Sequence, residues 1–267
     1  MTDRLLAANF GKLTKGSNMK FIEVGANRQV RKIACLQRSG GNPALFWLGG
    51  FKSDMRGTKA SALDKIGQKL SLGVTRFDYS GHGQSDGEFE NSTISLWLEE
   101  AIAVFEKTEG EQIVIGSSMG GWLAFLLNKY LHEHGQNRIR ALITIAPAVD
   151  MTRDLMLARF TEDELGALEK NGRVEQPSDY GDPYVITREL IEDGQRHLLL
   201  DGPIKTGAPV HILQGGKDMD VPPAHALKLA SCVLEDPLTL TLIPDGDHSL
   251  SRQQDIKALE VAITGYL

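Results

Sequence analysis

The sequence predicts an α/β fold in which helices cover both faces of a mainly parallel β-sheet of about eight strands. Strand patterns and amphipathic helix patterns alternate along most of the chain, and this order of elements produces parallel sheets. The segment 44–50, ALFWLGG, has consecutive apolar residues, as expected for a strand that is covered on both faces. With 267 residues, of which 41% are hydrophobic, the chain can bury a large core, so we expect a single domain over residues 1–267.

The elements follow one another in a regular order. Residues of about 20–38 contain two alternating strands, KFIEV and RKIACLQR, which predict a hairpin. Strand and helix patterns then alternate up to residue 146: strand 44–50, a helix through Leu63 and Leu70, strand 74–80, helix 94–105, strand 112–116, helix 119–131 and strand 141–146. The alternation resumes towards the C-terminus with strand 209–215, a helix near 224–235, strand 238–244 and a closing helix.

A polar segment of about fifty residues, about 150–200, interrupts this alternation after the sixth predicted strand. Its apolar residues are spaced as in short amphipathic helices: Leu155, Met156, Phe160, Leu165 and Leu168. The active groups of a parallel α/β sheet lie on loops at the carboxyl ends of the strands, and this segment begins at that edge. We therefore predict a small helical lid, in which Met156 and Phe160 line an apolar substrate pocket.

Composition excludes several classes of partner. The formal net charge is −6 and no long basic run occurs, so we expect no binding to nucleic acid. No apolar stretch approaches the roughly eighteen residues of a membrane span, and the N-terminal segment MTDRLLAANFGKLTKGS matches neither a signal peptide nor a transit peptide. Cys35 and Cys232 are far apart and lack CxxC spacing, which favours reduced thiols. These features indicate a cytoplasmic protein.

The stretch VIGSSMGG, 114–121, passes directly from a strand pattern into a helix pattern. A strand that turns straight into a helix can hold one residue in a strained turn, and the close approach of strand and helix then requires glycine two positions before and after it. Gly116 and Gly120 meet this requirement for Ser118, whereas the positions two away from Ser117 hold no glycine. Ser118 is therefore the predicted nucleophile of a GxSxG elbow. The alternative is a glycine-rich turn with an idle serine.

A serine hydroxyl becomes a useful nucleophile only when a neighbouring base takes its proton and an acid orients that base. In this architecture the acid and then the histidine follow the serine in the chain, each after a later strand. His248 follows strand 238–244 and is the predicted base. Asp218 and Asp220 both follow strand 209–215; we favour Asp218, because Asp220 lies nearer the proline that starts the next helix, where a carboxylate can cap.

The other six histidines fit the role of base less well. His82 follows a strand end and can line the cleft, but it precedes the elbow and no suitable acid follows it. The remaining five lie on predicted helices, at a helix end or within a strand, where structural or exposed roles are expected: His132, His134, His197, His211 and His225. We expect Asp245 and Asp247 to shape the loop of His248.

Acyl transfer also needs two backbone amides that bind the oxygen which becomes negative in a tetrahedral intermediate. One is predicted at Met119, the residue after the nucleophile at the start of a helix. The other is predicted at Phe51, since Gly49 and Gly50 allow the chain to turn beneath a substrate. The alternative is that this glycine pair only makes a turn.

Three competing hypotheses explain less of the sequence. The segment GHGQSDG, 81–87, resembles part of a dinucleotide-binding motif, but its third glycine lies one residue late and no acidic strand end follows it. Histidines and cysteines lack metal-ligand spacing, so we expect neither a metal nor another cofactor. A non-catalytic binding module on the same scaffold predicts a missing member of the set Ser118, Asp218 and His248, and all three are present.

Together these segments resemble the α/β-hydrolase superfamily, and within it the subgroup of mitochondrial acyl-glucuronide esterases, which are also described as palmitoyl-protein thioesterases. The resemblance covers nearly all of the chain after about residue 20. GxSxG marks only the superfamily, whereas the MxGTKA and RFDYSGxGxSDG patterns are more specific. Five segments carry it: GFKSDMRGTKA (50–60), RFDYSGHGQSDG (76–87), IGSSMGGW (115–122), GPIKTGAPVHILQGGKDMDVP (202–222) and GDHSLSRQQDI (246–256).

The resemblance implies the same roles that the residues predict. It assigns the nucleophile, the acid, the base and the two oxyanion donors to Ser118, Asp218, His248, Phe51 and Met119 respectively. The missing transit peptide departs from the mitochondrial members and indicates a bacterial-type relative, whose physiological substrate the resemblance does not fix. The lid region, 150–200, matches less clearly, although it is the part that selects the acyl group.

The sequence thus predicts a serine hydrolase that cleaves carboxylic esters or thioesters through an acyl-enzyme, without a cofactor. The expected substrate is a small-molecule ester or thioester, or an acylated protein. A lactonase or a C–C bond hydrolase would use the same three side chains, so these alternatives stay open. Acyl chain length and oligomeric state stay open as well.

Overall fold

The computed structural model describes residues 17–26, 30–176 and 183–267, and nearly all of the N-terminal segment compared with targeting peptides lies outside them. Ten strands occur in the described residues: β1 (Ser17–Val24), β2 (Arg31–Arg38), β3 (Gly41–Leu48), β4 (Leu72–Phe77), β5 (Gln112–Ser117), β6 (Ile139–Ile145), β7 (Arg173–Gln176), β8 (Tyr184–Thr187), β9 (Val210–Gly215) and β10 (Leu238–Ile243). Eight of them form one sheet in the order β1-β2-β4-β3-β5-β6-β9-β10. The β1–β2 hairpin and the β2–β4 pair are antiparallel and the other pairs are parallel, which confirms the predicted mainly parallel sheet.

Helices cover both faces of this sheet. Those in the described residues are α1 (Thr58–Leu70), α2 (Ile94–Phe105), α3 (Met119–Glu133), α4 (Glu162–Asn171), α5 (Arg188–Gly194), α6 (Pro223–Cys232) and α7 (Gln253–Thr264). Along β3, Phe46 and Leu48 pack into the core with α2, α3 and α6, whereas Leu45 and Trp47 pack with α1 and α7. Burial of each large apolar side chain contributes about 1.5–3 kcal/mol. The consecutive apolar residues of β3 therefore reflect its two covered faces.

The insertion after β6 contains the predicted short helices and also a small sheet that the sequence did not predict. A π-helical turn (Thr152–Met156) and a 3₁₀ turn (Leu157–Arg159) precede α4, and the antiparallel strands β7 and β8 lead into α5. Thr161 and Glu164 form a capping box that fixes the start of α4. Strands of four residues are too short to show an alternating pattern, so β7 and β8 leave no clear signal in the sequence.

Both ends of this insertion are tied to the side chain of Asp150. Asp150 is fully buried and has a positive φ of 56°, a conformation that aspartate adopts more readily than most residues. Oδ2 of its carboxylate accepts hydrogen bonds from the backbone amides of Leu199 and Leu200, at 3.1 and 2.9 Å. The same carboxylate forms an ion pair with Arg153. Burial raises the pKa of Asp150, while the two amides act in the opposite direction. One carboxylate thus joins the first and last turns of the lid.

Among the helices in the described ranges, none combines the length and the apolar character that crossing a bilayer requires.

We predict that Asp150→Asn lowers the free energy of unfolding by about 1–3 kcal/mol, because the amide nitrogen presents a donor where two backbone donors converge. Urea denaturation measures this change, and limited proteolysis of the lid should quicken in parallel. Asp201→Asn is the matched control: Asp201 also pairs with Arg153, but its side chain is 66% exposed, so no measurable change is expected. Equal stability of the Asp150 variant and the wild type would contradict the anchoring role.

Candidate active site

Ser118 occupies a strained turn between β5 and α3. Its φ and ψ are 54° and −120°, which an L-residue adopts only when the surrounding structure holds it. The Ser118 amide donates to the carbonyl of Ile145 at 2.9 Å, and the Ser118 carbonyl accepts from the amides of Ala148 at 3.0 Å and Gly121 at 2.8 Å. The turn is therefore held by the end of β6 and by the first turn of α3.

The two glycines that flank this turn leave no room for a side chain. A Cβ atom on Gly116 would overlap the carbonyl of Gly120, and a Cβ atom on Gly120 would overlap the carbonyl of Leu48. Strand, helix and nucleophile turn thus approach one another as the spacing of the glycines predicted. Both serines border a cavity, but Ser117 is the buried last residue of β5, whereas Ser118 is partly exposed.

The structure brings Ser118, His248 and Asp218 together although they are far apart in the sequence. The distance from His248 Nε2 to Ser118 Oγ is 3.0 Å, and His248 Nδ1 lies 2.9 Å from Asp218 Oδ2. The Asp218 side chain is fully buried and the His248 side chain is 21% exposed. An imidazole held in this way by a buried carboxylate can accept a proton at Nε2 and is stabilised when it carries one.

The loop after β9 supports Asp218 and leaves Asp220 outside the line. Asp218 Oδ1 accepts hydrogen bonds from the amides of Asp220 and Val221 at 3.0 and 2.8 Å. Asp220 itself is exposed and does not cap α6; the cap position is Pro222, without a side-chain hydrogen bond. The expectation that Asp220 can cap α6, which favoured Asp218 as the acid, was therefore wrong. The buried carboxylate of Asp218 itself organises the turn.

Asp218, Asp220 and His248 also offer three possible ligand atoms within 4.8 Å of one another. Both Asp218 oxygens already have partners, however: Oδ2 faces the imidazole and Oδ1 accepts two amides. The hydrogen-bonded line to Ser118 accounts for this cluster, and we expect no metal there.

The loop of His248 has a support that sequence reasoning missed. The Lys59 ammonium on α1 donates to the carbonyl of Ser249, the residue after the base. Burial lowers the pKa of Lys59 to about 8, and nearby carboxylates, with that of Asp247 first, oppose this effect. Asp247 also accepts from the Leu250 amide at 3.1 Å, so it shapes the loop as expected. Lys59 lies in the GTKA segment, and this segment was the signal in the sequence from which a role for Lys59 could have been predicted.

The two predicted oxyanion donors lie next to Ser118. Met119 is the first residue of α3, where backbone amides lack intrahelical acceptors. Phe51 follows Gly50, whose position is so close to the nucleophile that an added Cβ would lie 3.4 Å from Ser118 Cβ. The Ser53 hydroxyl and amide both donate to the Gly50 carbonyl, at 2.8 and 3.2 Å, and so fix the turn.

The alternative base, His82, has no contact with Ser118. Its Nδ1 lies 3.0 Å from the Ser80 carbonyl and its Nε2 lies 3.1 Å from the Lys52 amide, so both nitrogens are occupied. Burial lowers the pKa of His82 to about 4. These contacts do not suit a residue that has to receive the serine proton.

A cavity of about 610 Å³ opens beside Ser118 and His248. Its walls are largely apolar on the lid side, where Met156 and Phe160 lie as predicted, together with Met151, Leu155 and Ile186. The opposite wall carries polar groups from α1 and the His248 loop: Thr58, Lys59, Ser249 and Ser251.

A partly exposed serine in a strained strand-to-helix turn, hydrogen-bonded to a histidine that is itself bonded to a buried aspartate, defines a serine hydrolase site on an α/β-hydrolase fold. The family model described as "Serine aminopeptidase, S33" matches residues 60–190. The mitochondrial palmitoyl-protein thioesterase ABHD10 of Bos taurus is 33% identical over 236 residues, which cover 86% of this chain and 75% of that protein. The chain belongs to this ABHD10 family within the α/β-hydrolase superfamily.

Solved structures agree with this assignment. A protein of Agrobacterium vitis S4 is 43% identical, with a TM-score of 0.91 over 94% of this chain and 99% of that one. Mouse α/β-hydrolase domain-containing protein 10 is 29% identical, with a TM-score of 0.82 over 93% and 97% of the two chains. The predicted fold and the predicted family are therefore confirmed.

We predict that Asp218→Asn lowers kcat on the order of 10⁴-fold, because an amide holds the imidazole in the wrong tautomer. Asp220→Asn is the matched control, since its exposed carboxylate lies near His248 without accepting a hydrogen bond from it, and its turnover should stay close to that of the wild type. Steady-state hydrolysis of a p-nitrophenyl ester measures both variants. A larger loss for Asp220→Asn would transfer the role of the acid to Asp220.

Proposed function

We propose that Ser118, His248 and Asp218 hydrolyse an acyl ester or thioester through an acyl-serine intermediate. The protein is a hydrolase of carboxylic esters or thioesters, as the sequence predicted. The single observation that carries the assignment of roles is the unbroken line Ser118 Oγ–His248 Nε2 and His248 Nδ1–Asp218 Oδ2, with distances of 3.0 and 2.9 Å, at the floor of an open cavity.

In the first half of the reaction, His248 Nε2 takes the hydroxyl proton while Ser118 Oγ attacks the carbonyl carbon of the substrate. The carbonyl oxygen becomes negative and accepts hydrogen bonds from the backbone amides of Phe51 and Met119. When the tetrahedral intermediate collapses, the bond to the leaving oxygen or sulfur breaks and that atom receives the proton from His248. The acyl group stays on Ser118.

In the second half, a water molecule loses a proton to His248 and attacks the acyl carbonyl. Collapse of the second tetrahedral intermediate returns the proton to Ser118 Oγ and releases the carboxylic acid. The buried Asp218 carboxylate stabilises the imidazolium in both halves without being protonated itself. These steps use only groups of this chain and water.

The apolar lid wall supports a medium or long acyl chain as the preferred acyl group. Met156 and Phe160 lie at the cavity beside other apolar residues, so burial of each methylene contributes about 0.8 kcal/mol. The ABHD10 proteins are named palmitoyl-protein thioesterases, which favours acylated proteins besides small acyl esters and thioesters as substrates.

We also propose a cytoplasmic location, which the two free thiols support: Cys35 is buried and Cys232 is partly exposed, and neither is in a disulfide. The palmitoyl-protein thioesterase ABHD10 of Bos taurus is named as a mitochondrial protein. Fractionation of cells that express the tagged full chain would decide between the two locations.

We expect Ser118→Ala to lower the turnover of p-nitrophenyl esters by about 10⁴-fold or more while the fold is kept, because the nucleophile is lost. Ser117→Ala is the control next to it in the chain, and its turnover should remain similar to that of the wild type. A fluorophosphonate probe should label the wild type and Ser117→Ala, but not Ser118→Ala. Wild-type turnover by the Ser118 variant would exclude the proposed nucleophile.

The acyl preference predicts that kcat/KM rises with chain length by up to about fourfold for each methylene until the lid wall is fully covered. Met156→Trp narrows the cavity and should therefore lower kcat/KM for dodecanoyl esters and acyl-CoA far more than for butyryl esters. Leu165→Trp is the control on the same lid, since Leu165 is 42% exposed and does not border the cavity. A flat chain-length profile in the wild type would contradict the acyl preference.

A further inference from the structure

His82 is a buried histidine that the mechanism above leaves without a role. It follows β4 and is 4% exposed, among the rings of Tyr79, Phe89 and Trp97. The three ring centroids lie 5.8, 5.2 and 5.4 Å from that of the imidazole. A phenylalanine ring would fill this apolar cage without burying a polar group. The presence of the polar imidazole of His82 is therefore explained by the hydrogen bonds that it makes.

Those bonds determine the tautomer of His82. The Lys52 backbone N–H lies 3.1 Å from Nε2, and an amide can only donate, so Nε2 accepts. Nδ1 lies 3.0 Å from the Ser80 carbonyl, which can only accept, so Nδ1 carries the proton. Both contacts therefore require the neutral imidazole, and its burial, which lowers the pKa of His82 to about 4, agrees with this form.

The residue that His82 holds belongs to the oxyanion loop, by which we mean residues 49–53. Lys52 directly follows the predicted donor Phe51 and has a φ of 53°, in the left-handed region that costs energy for a residue other than glycine. A hydrogen bond to its amide therefore holds Lys52 in a backbone conformation that its own preferences oppose. That conformation orients the peptide plane between Phe51 and Lys52. Through the Phe51 Cα it also restrains the neighbouring Gly50–Phe51 peptide plane, which carries the Phe51 N–H.

The other side of His82 is attached to the core. The Ser80 carbonyl also accepts from Trp97 Nε1 at 3.1 Å, and the Ser80 amide donates to the buried carboxylate of Glu100 at 2.8 Å. Both Trp97 and Glu100 lie on α2 and are fully buried. Hydrogen bonds thus run without a break from helix α2 through Ser80 and His82 to the oxyanion loop.

We propose that His82 is a positioning residue that holds the oxyanion loop in its active conformation by accepting the Lys52 amide proton. This proposal rests on the proposed function, since it acts through the Phe51 donor. Loss of the acceptor lets Lys52 leave the left-handed region and frees the Phe51–Lys52 peptide unit. Phe51 can then rotate, and its N–H, which belongs to the adjacent Gly50–Phe51 peptide unit, turns away from the oxyanion. The substrate still binds, but the tetrahedral intermediate loses part of its stabilisation.

The test compares His82→Phe, which fills the aromatic cage without an acceptor, with His82→Gln, whose side-chain oxygen can still accept from Lys52. Loss of a whole oxyanion donor costs on the order of 10²–10³ in turnover, so partial displacement in His82→Phe should lower kcat by about 10- to 100-fold with little change in KM. The affinity for a boronic acid, which forms a tetrahedral adduct on Ser118, should fall by the same factor. His82→Gln should recover most of both losses.

His211→Gln is the matched control, because His211 is a half-buried histidine on β9 with one side-chain hydrogen bond, to Thr241, outside the cavity. It should keep wild-type kcat and boronate affinity even where its thermal stability changes. A kcat and boronate affinity in His82→Phe equal to those of the wild type would overturn the proposal. So would a loss confined to KM, or an equal loss in His82→Gln.

A measurement that needs no catalysis separates this proposal from the proposed function. Hydrogen–deuterium exchange of the peptide that covers 49–53 should be faster in His82→Phe than in the wild type, while peptides of β5 and α3 stay protected. In ¹⁵N-histidine spectra of the wild type, His82 should carry its proton on Nδ1. If these results hold while Ser118→Ala keeps its activity, the proposed function fails and the loop support stands. Unchanged exchange, or a proton on Nε2, overturns the loop support whatever the activity.

Discussion

The site depends on how closely the start of α3 approaches β5 and β3. Gly116 and Gly120 allow this approach, and it forces Ser118 into a backbone conformation that costs about 1–3 kcal/mol. Bonds to the end of β6 and the packing of Trp122, a fully buried residue of α3, offset this cost. The core of the protein therefore positions Ser118, the proposed nucleophile.

Asp218 and His248, the proposed acid and base, are brought together by a second close approach, between the loops after β9 and β10. A Cβ atom on Gly215 or Gly216 would overlap the backbone of Gly246 or Pro244. The Lys217 amide also donates to the Gly246 carbonyl at 2.8 Å. Because β9 and β10 are parallel and paired in register, their loops leave the same edge of the sheet. The separation of carboxylate and imidazole is thus set by strand register.

The parts of this site that sequence reasoning found are those fixed by local chain geometry or by strand order. The elbow follows from the spacing of Gly116 and Gly120, and the order of acid and base follows from the order of the strands. The supports act across long distances in the sequence, so no local pattern shows which residues they hold: Lys59 reaches a residue 190 positions away, and Asp150 joins residues 49 and 50 positions away. The sequence indicates His82 as a possible base that lines the cleft, but only the structure shows that it accepts a hydrogen bond from the Lys52 amide.

The lid is attached differently from the nucleophile. Besides the Asp150 bonds, which join its two ends, the lid contacts helices α2 and α3. The Ser95 amide and hydroxyl on α2 both donate to Asp193 at 2.7 Å, and Trp122 Nε1 on α3 donates to the His197 carbonyl at 3.1 Å. These polar bonds anchor the lid outside the cavity, whereas Met156 and Phe160 form part of the apolar wall of the cavity. Side chains of that wall can therefore change without disturbing either the anchors or the Ser118 line. The Ser118 line and the lid wall are thus stabilised by separate sets of contacts. If the wall selects the acyl group as proposed, the same three side chains can serve different acyl groups as the wall changes.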